Sequence, residues 1–312
     1  ADERYNSGLF YFKEEKGRPE PPDTLTLDLT IDDKPLKDII TSLYYPNSPY
    51  EFSVLPADIL GQVYEQFLGK VIRLTEGHQA KVEDKPEVKK AGGVYYTPTY
   101  IVDYIVKNTV GKLIEEKTPK EVSKLKILDP ACGSGSFLLG AYQRLLDWHR
   151  DWYEKDGPEK WAKAKTPVLY QGPGGVWRLT TPEKKRILLN NIFGVDIDPQ
   201  AVEVTKLSLL LKVLEGENNE TLTKQLALFT EDEKYRINIF DWEGAKGFPE
   251  IMRSGGFDVV IGNPPYGASF GEHDAGYFRS NYKVFSGVRD VYTCFMEKGV
   301  SLLSSSGRLS FV

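Results

Sequence analysis

The 312-residue chain has 40% hydrophobic and 27% charged residues, an ordinary globular balance, long enough for about two domains with a full core. Its two cysteines, Cys132 and Cys294, exclude a disulfide framework, and three scattered histidines share no ligand spacing with them; no metal site and a reducing, cytoplasmic setting are expected. The formal net charge of −5 argues against a generally basic nucleic-acid surface, and no apolar run nears the roughly 20 residues of a membrane span.

The chain opens on Ala1 rather than Met and stops at Val312 within strand-like GRLSFV, which reads as a piece of a longer protein. In residues 1–90 a mainly helical region and linker are expected. TLTLDLT alternates as a strand would, and a short helix is expected after Pro35. PADILGQVYEQFL (56–68) places Ile59, Leu60, Val63, Phe67 and Leu68 on one helical face, as in a helix packed on a core. The polar stretch 75–91 reads as a linker or loop. From residue 91 onward short apolar runs alternate with helical stretches. The runs are KLKILD (124–129), NIFGVD (191–196), RINIF (236–240), FDVVIG (257–262) and GRLSFV (307–312); the helices are expected at 136–149, 199–216 and 290–303. This alternation predicts an α/β fold with a doubly wound, mostly parallel sheet over 91–312. An insertion over about 150–190 carries, from Arg150 to Arg186, nine Lys or Arg against five Asp or Glu, with Trp152, Trp161 and Trp177 interspersed. It reads as a local subdomain with a hairpin closed by GPGG; contact with nucleic acid is the competing reading.

In doubly wound sheets ligands bind beyond the carboxyl ends of the strands. There KLKILD runs into Asp129-Pro130-Ala131-Cys132-Gly133-Ser134-Gly135, a turn whose glycines permit positive φ and close ligand approach before a helix N-terminus. It matches neither a phosphate loop nor a dinucleotide fingerprint, and the missing lysine argues against a nucleoside triphosphate. Asp196 ends the second strand, where such folds place an acid for ribose hydroxyls, while Asp198-Pro199 suits the start of the next helix. FDVVIG ends in Asn263-Pro264-Pro265-Tyr266, where consecutive prolines force a stiff, extended exit from the strand.

GGVYYTPTYIVDYIV (92–106), DPACGSGSF, GVDID, INIFDW, NPPY and RDVYTCFMEKGVSLLSSSGRLSF occur in an order that resembles the gamma-class DNA adenine-N6 methyltransferases. The likeness is strongest to the methylase portion of fused type II restriction-modification enzymes, and covers about residues 50–312. The resemblance implies a class I, Rossmann-like fold and S-adenosylmethionine as cofactor. It places Tyr96, Thr97 and Pro98 against the methionine part, and Asp129, Ala131, Gly133 and Gly135 in the cofactor loop. Asp196 and Ile197 match the ribose and adenine contacts, and Asp241, followed by Trp242, an acid near the adenine amino group. Ile239 departs from the NPFDW of several members. Asn263 and Pro264 would accept the hydrogens of an adenine N6 amine and localise its lone pair, and Tyr266 would stack on the base. The loop 267–287 would close over the extruded nucleotide, and Glu272, His273 and Asp274 within it are not read as a metal cluster.

The implied partner is double-stranded DNA, gripped mainly by a target-recognition region beyond this chain, within a restriction-modification or phage-defence system. A nuclease could be fused in the parent protein, since no nuclease core is found here. Alone, the fragment is expected to bind cofactor and methylate duplex weakly or not at all. The alternatives are a non-catalytic, cofactor-binding defence component, or an N-methyltransferase acting on RNA or on a protein glutamine. All these readings require the cofactor loop and the Asn-Pro elbow to open onto one pocket.

Overall fold

A computed structural model describes residues 97–217, 237–241, 248–266, 272–286 and 290–312, with shorter pieces at 24, 26–28, 30, 32–44, 46–48, 59, 61, 63, 70–75 and 79–84. Five strands form the central sheet: β3 (Ile127–Asp129), β6 (Ile192–Asp196), β7 (Asn238–Asp241), β8 (Phe257–Gly262) and β9 (Leu303–Phe311). Their spatial order is β7-β6-β3-β8-β9, and all four pairings are parallel. The expected α/β fold with a doubly wound sheet is therefore present. The chain builds outward from β3 to β6 and β7, then crosses to β8 and β9 on the other side. The order reverses between β3 and β8, the place where such sheets take their ligands. Central β3 is buried throughout, as a parallel strand covered on both faces must be.

The helix after β3, α3 (Ser136–Lys155), supplies much of the core. Leu138, Ala141, Tyr142 and Leu145 recur at helical spacing and are fully buried, each large side chain contributing roughly 1.5–3 kcal/mol. Helix α2 (Thr99–Val106) packs beside it through Val102 and Val106. Among the further helices are α4 (Thr181–Asn191), α5 (Pro199–Leu214), α6 (Glu272–Asn281) and α7 (Val291–Leu302).

His149, on α3, is 0% exposed. Its Nδ1 lies 2.8 Å from the Leu145 carbonyl, and Nε2 has no partner among the described residues. Burial holds its pKa down to about 4. A depressed histidine stabilises the fold above its unfolded pKa of about 6.5 and loses that contribution as pH falls through about 4. The thermal midpoint of His149→Leu is accordingly expected to fall less between pH 7 and pH 4.5 than the parent's; parallel melting profiles would refute this.

Several expectations need correcting. The charged stretch 75–91 is not simply a linker: β2 (Ala80–Asp84) pairs antiparallel with β1 (Lys70–Leu74). Residues Thr26–Asp28 form a 3₁₀ turn rather than a strand, because no neighbouring strand pairs with them among the described residues. The N-terminal region thus combines a helix, α1 (Asp33–Ser42), with a hairpin. Val63, placed on a buried face by its spacing, is exposed. Helix α3 runs six residues past 149, so the insertion starts later than Arg150.

Within the insertion, β4 (Leu169–Gln171) and β5 (Trp177–Leu179) form the expected hairpin around Gly172–Gly175. Trp152, Trp161 and Trp177 pack against the core, with Tyr153 and Trp161 rings 4.7 Å apart. Two of the basic residues serve the next helix. Lys184 Nζ donates to the Val213 and Glu215 carbonyls and Arg178 to that of Gly216, giving positive charge to the negative C-terminal end of α5. The local-subdomain reading accounts for these aromatics. No helix among the described residues is long and apolar enough to cross a membrane.

Candidate active site

The carboxyl ends of four adjacent strands carry the predicted residues. Asp129 ends β3 and Asp196 ends β6; Asp241, opposite Asp196 in the register, ends β7; and Gly262 ends β8 immediately before Asn263.

After β3 the loop turns through Gly133 (φ 52°) and Gly135 (φ 88°), left-handed conformations that favour glycine. It is held from beneath at several points. The Cys132 amide donates to the Val195 carbonyl at 2.9 Å, and the Thr205 hydroxyl donates to the Gly133 carbonyl at 2.7 Å. Asp196 accepts from the Gly133 amide at 2.7 Å through Oδ2 and from the Asp198 amide at 2.9 Å through Oδ1. Each carboxylate oxygen can accept a second bond, so Asp196 fastens the loop while retaining capacity for ligand hydroxyls. Beside it Ile197 is 83% exposed, an apolar side chain left outside the core where a flat ring could cover it.

Asp129 is 1% exposed and accepts from the Ala131 amide at 3.0 Å. Burial pushes its pKa up to about 8, the Ala131 hydrogen bond opposes the rise, and the charge of Asp196 adds to it. Burial also raises the pKa of Asp196. Two crowded, desolvated acids lie together here, and a cationic ligand would favour their ionised forms. A glycine turn, hydroxyl-accepting carboxylate and exposed aliphatic together fit a cationic amino-acid nucleoside. Among the described residues no group of His, Cys, Asp or Glu is arranged to hold a metal ion.

The elbow lies against the same acid. A methyl group at Gly262 would collide with the Asp129 carboxylate, so the strand end must be glycine for the two elements to touch. The Gly262 carbonyl accepts from the Val312 amide at 3.1 Å, fixing the exit from β8. Asn263 Nδ2 donates to Thr97 Oγ1 at 3.2 Å, whereas Oδ1 is buried and has no hydrogen-bond partner among the described residues. Pro264 is buried, and Tyr266 is 51% exposed at the rim.

Thr97, Pro98, Asp129, Ala131, Gly133, Gly135, Asp196, Ile197, Asn263, Pro264 and Tyr266 are all described; Tyr96, Trp242 and the side chain of Asp241 lie outside the described residues. The elbow is not followed simply by a loop. Helix α6 and a 3₁₀ turn at Lys283–Ser286 occupy much of 267–287, with the Glu272, His273 and Asp274 side chains outside the described residues.

Three contributors were missed by sequence reasoning. Thr205 is a polar residue within an apolar helical run, a signal that was visible. Gly262 looks like an ordinary strand end. Gly61 lies in the N-terminal stretch read only as core packing, yet a methyl group there would sit 2.9 Å from Ser134 Cβ and 3.3 Å from the Ser134 carbonyl oxygen. The N-terminal region therefore touches the cofactor loop itself. Overpacking of this kind costs about 1–3 kcal/mol. Gly61→Val is expected to weaken S-adenosylmethionine binding about tenfold or more by calorimetry; unchanged affinity would show that the loop yields freely.

A parallel sheet whose order reverses beside a glycine turn, with acids ending the neighbouring strands, is a doubly wound α/β fold of the kind that class I S-adenosylmethionine-dependent methyltransferases use. The family profile of the Eco57I restriction-modification methylase matches residues 190–312. The whole chain aligns at 31% identity with the type II restriction enzyme and methyltransferase RM.Eco57I of Escherichia coli, covering 31% of that protein. The adenine-specific methyltransferase PglX of Streptomyces coelicolor is 27% identical over 57% of the chain and 15% of its own length. A solved structure of a nuclease-deletion mutant of the type ISP restriction-modification enzyme LlaGI with a DNA substrate mimic aligns with a TM-score of 0.46 at 14% identity, over 93% of this chain and 25% of that one. These comparisons give the chain a likeness to restriction-modification methylases of the adenine-N6 type, and it spans about a third of RM.Eco57I.

Proposed function

We propose that this chain is the methyl-transferring part of a restriction-modification or phage-defence protein, acting on N6 of an adenine flipped out of double-stranded DNA. The observation that carries the proposal is the buried, unpartnered Oδ1 of Asn263, an acceptor beside the Asp129 loop. Burying an amide oxygen without a partner costs about 1–3 kcal/mol, so its persistence beside a ligand-binding crevice points to a ligand donor. An exocyclic amine with two hydrogens supplies one.

In this reading the Asn263 oxygen and the Pro264 carbonyl accept the two amine hydrogens. The nitrogen lone pair is drawn out of conjugation with the ring and becomes nucleophilic. Pro264 and Pro265 keep the acceptors still, so the dipoles are set before the base arrives. Tyr266, half exposed at the rim, stacks on the base for about 1–3 kcal/mol, comparable with the cost of extruding it. Asp196 and Ile197 would hold the cofactor nucleoside, and Asp129 with Gly133 and Gly135 its amino-acid end. S-adenosylmethionine, when bound, supplies an activated methyl group. The net charge of −5 is compatible with duplex binding if most of the phosphate contacts come from a separate target-recognition region.

The test is transfer of labelled methyl groups to DNA by the full-length protein, with the product base identified by mass spectrometry. N6-methyladenine is the expected product. Cofactor binding without transfer would favour a non-catalytic component, and methylated RNA or glutamine without methylated DNA would overturn the choice of substrate.

A further inference from the structure

We infer that Thr97 is a positioning residue that holds the Asn263 amide in place at the elbow. This inference rests on the catalytic reading of Asn263. The two ends of a carboxamide are nearly equal in shape and opposite in hydrogen-bonding sense. With the oxygen toward the crevice, Asn263 accepts from an incoming amine. Rotated by 180°, it would present two N–H donors to a group that itself donates, and the site would repel its substrate.

The contact that holds the side chain is the bond from Asn263 Nδ2 to Thr97 Oγ1, at 3.2 Å and between residues 166 apart in the chain. It occupies the nitrogen end and leaves Oδ1 unpartnered. Thr97 is only 6% exposed, so bulk water is poorly placed to substitute for its hydroxyl. The hydroxyl is also a fixed point. Thr97 is β-branched, with few χ1 choices, and precedes Pro98, which restricts its backbone. Pro98 in turn opens α2, anchored by buried Val102 and Val106; the Pro98 carbonyl accepts from the Ile101 amide at 2.9 Å. On the other side Asn263 is held between the pinned end of β8 and a proline. Two rigid supports meeting at one hydrogen bond lock the side chain in place. A direct cofactor contact, the role that sequence likeness implies for Thr97, does not explain why its hydroxyl is spent on the elbow.

The test compares the parent, Thr97→Val and Thr97→Ser in the full-length protein, measuring kcat and KM for DNA, cofactor Kd and thermal midpoint. Valine keeps the shape and removes the hydroxyl. It is expected to lower kcat about tenfold to a hundredfold, with cofactor Kd within about twofold, the scale of loss when a reacting group is misplaced. Thr97→Ser should recover most of that loss. If valine melts early, Thr97→Ala provides the same hydroxyl deletion. An unchanged kcat with raised cofactor Kd would overturn the inference in favour of a cofactor contact. Serine performing as badly as valine would overturn it, because a hydroxyl in place would then fail to restore turnover. Normal transfer by Thr97→Val alongside an inactive Asn263→Ala refutes the lock alone, whereas normal transfer by Asn263→Ala refutes the catalytic reading beneath it.

Discussion

Asn263→Ala is expected to lower kcat about 10²–10³-fold while leaving S-adenosylmethionine affinity within about twofold, by analogy with deletion of one preorganised hydrogen-bonding group. The separation follows from geometry. The Asn263 oxygen is buried and unpartnered, whereas the loop after β3 is held by Val195, Asp196 and Thr205, none of which depends on the amide. Rapid-quench methylation with saturating cofactor, set beside calorimetric binding, reads the two effects independently. A matched fall in affinity and turnover would mean that the elbow supports the loop rather than the base.

The second large effect concerns Asp129. Its folded pKa of about 8 lies well above the roughly 3.9 of an unfolded chain. Between those values the folded protein keeps a proton that the unfolded chain releases. The contribution is therefore complete below about pH 3.9 and lost as pH rises through about 8, at up to about 1.4 kcal/mol per pH unit. Asp129→Asn preserves the acceptor for the Ala131 amide and abolishes the titration. Its melting temperature is expected to vary less than the parent's between pH 5 and 8, and to exceed the parent's at pH 8. Cofactor affinity should move the opposite way at pH 8 and above, weakening at least tenfold, because there a cationic ligand loses an ionised carboxylate partner. Calorimetric scans across that range provide the measurement; superimposable pH profiles for the two proteins would show that Asp129 is already ionised in the fold.

The parallel sheet was legible because its central strands are buried on both faces and appear as short, mostly apolar runs. KLKILD, NIFGVD, RINIF and FDVVIG correspond to β3, β6, β7 and β8 within a few residues. Their polar terminal residues stood out for the same reason. The β1–β2 hairpin was not legible, since Lys81, Val82 and Glu83 are all exposed and no buried face imposes an alternating pattern. Helix α6 was hidden by glycines and aromatics that resemble a loop. The site was read as two motifs, a cradle and an elbow. What joins them is long-range: the Gly262 backbone against Asp129, Thr97 against Asn263, and Gly61 against Ser134. Local periodicity carries no trace of such contacts, because each depends on strand order and on helices docking from distant parts of the chain.

An amide oxygen sealed from water with nothing to bind is a standing liability for the empty protein. Substitution by a small apolar side chain would relieve that liability and make the resting molecule sturdier as it made it inert. Variants chosen for heat resistance alone would therefore be expected to drift toward loss of this asparagine, and a screen for durability in this fold has to count turnovers as well as survivors.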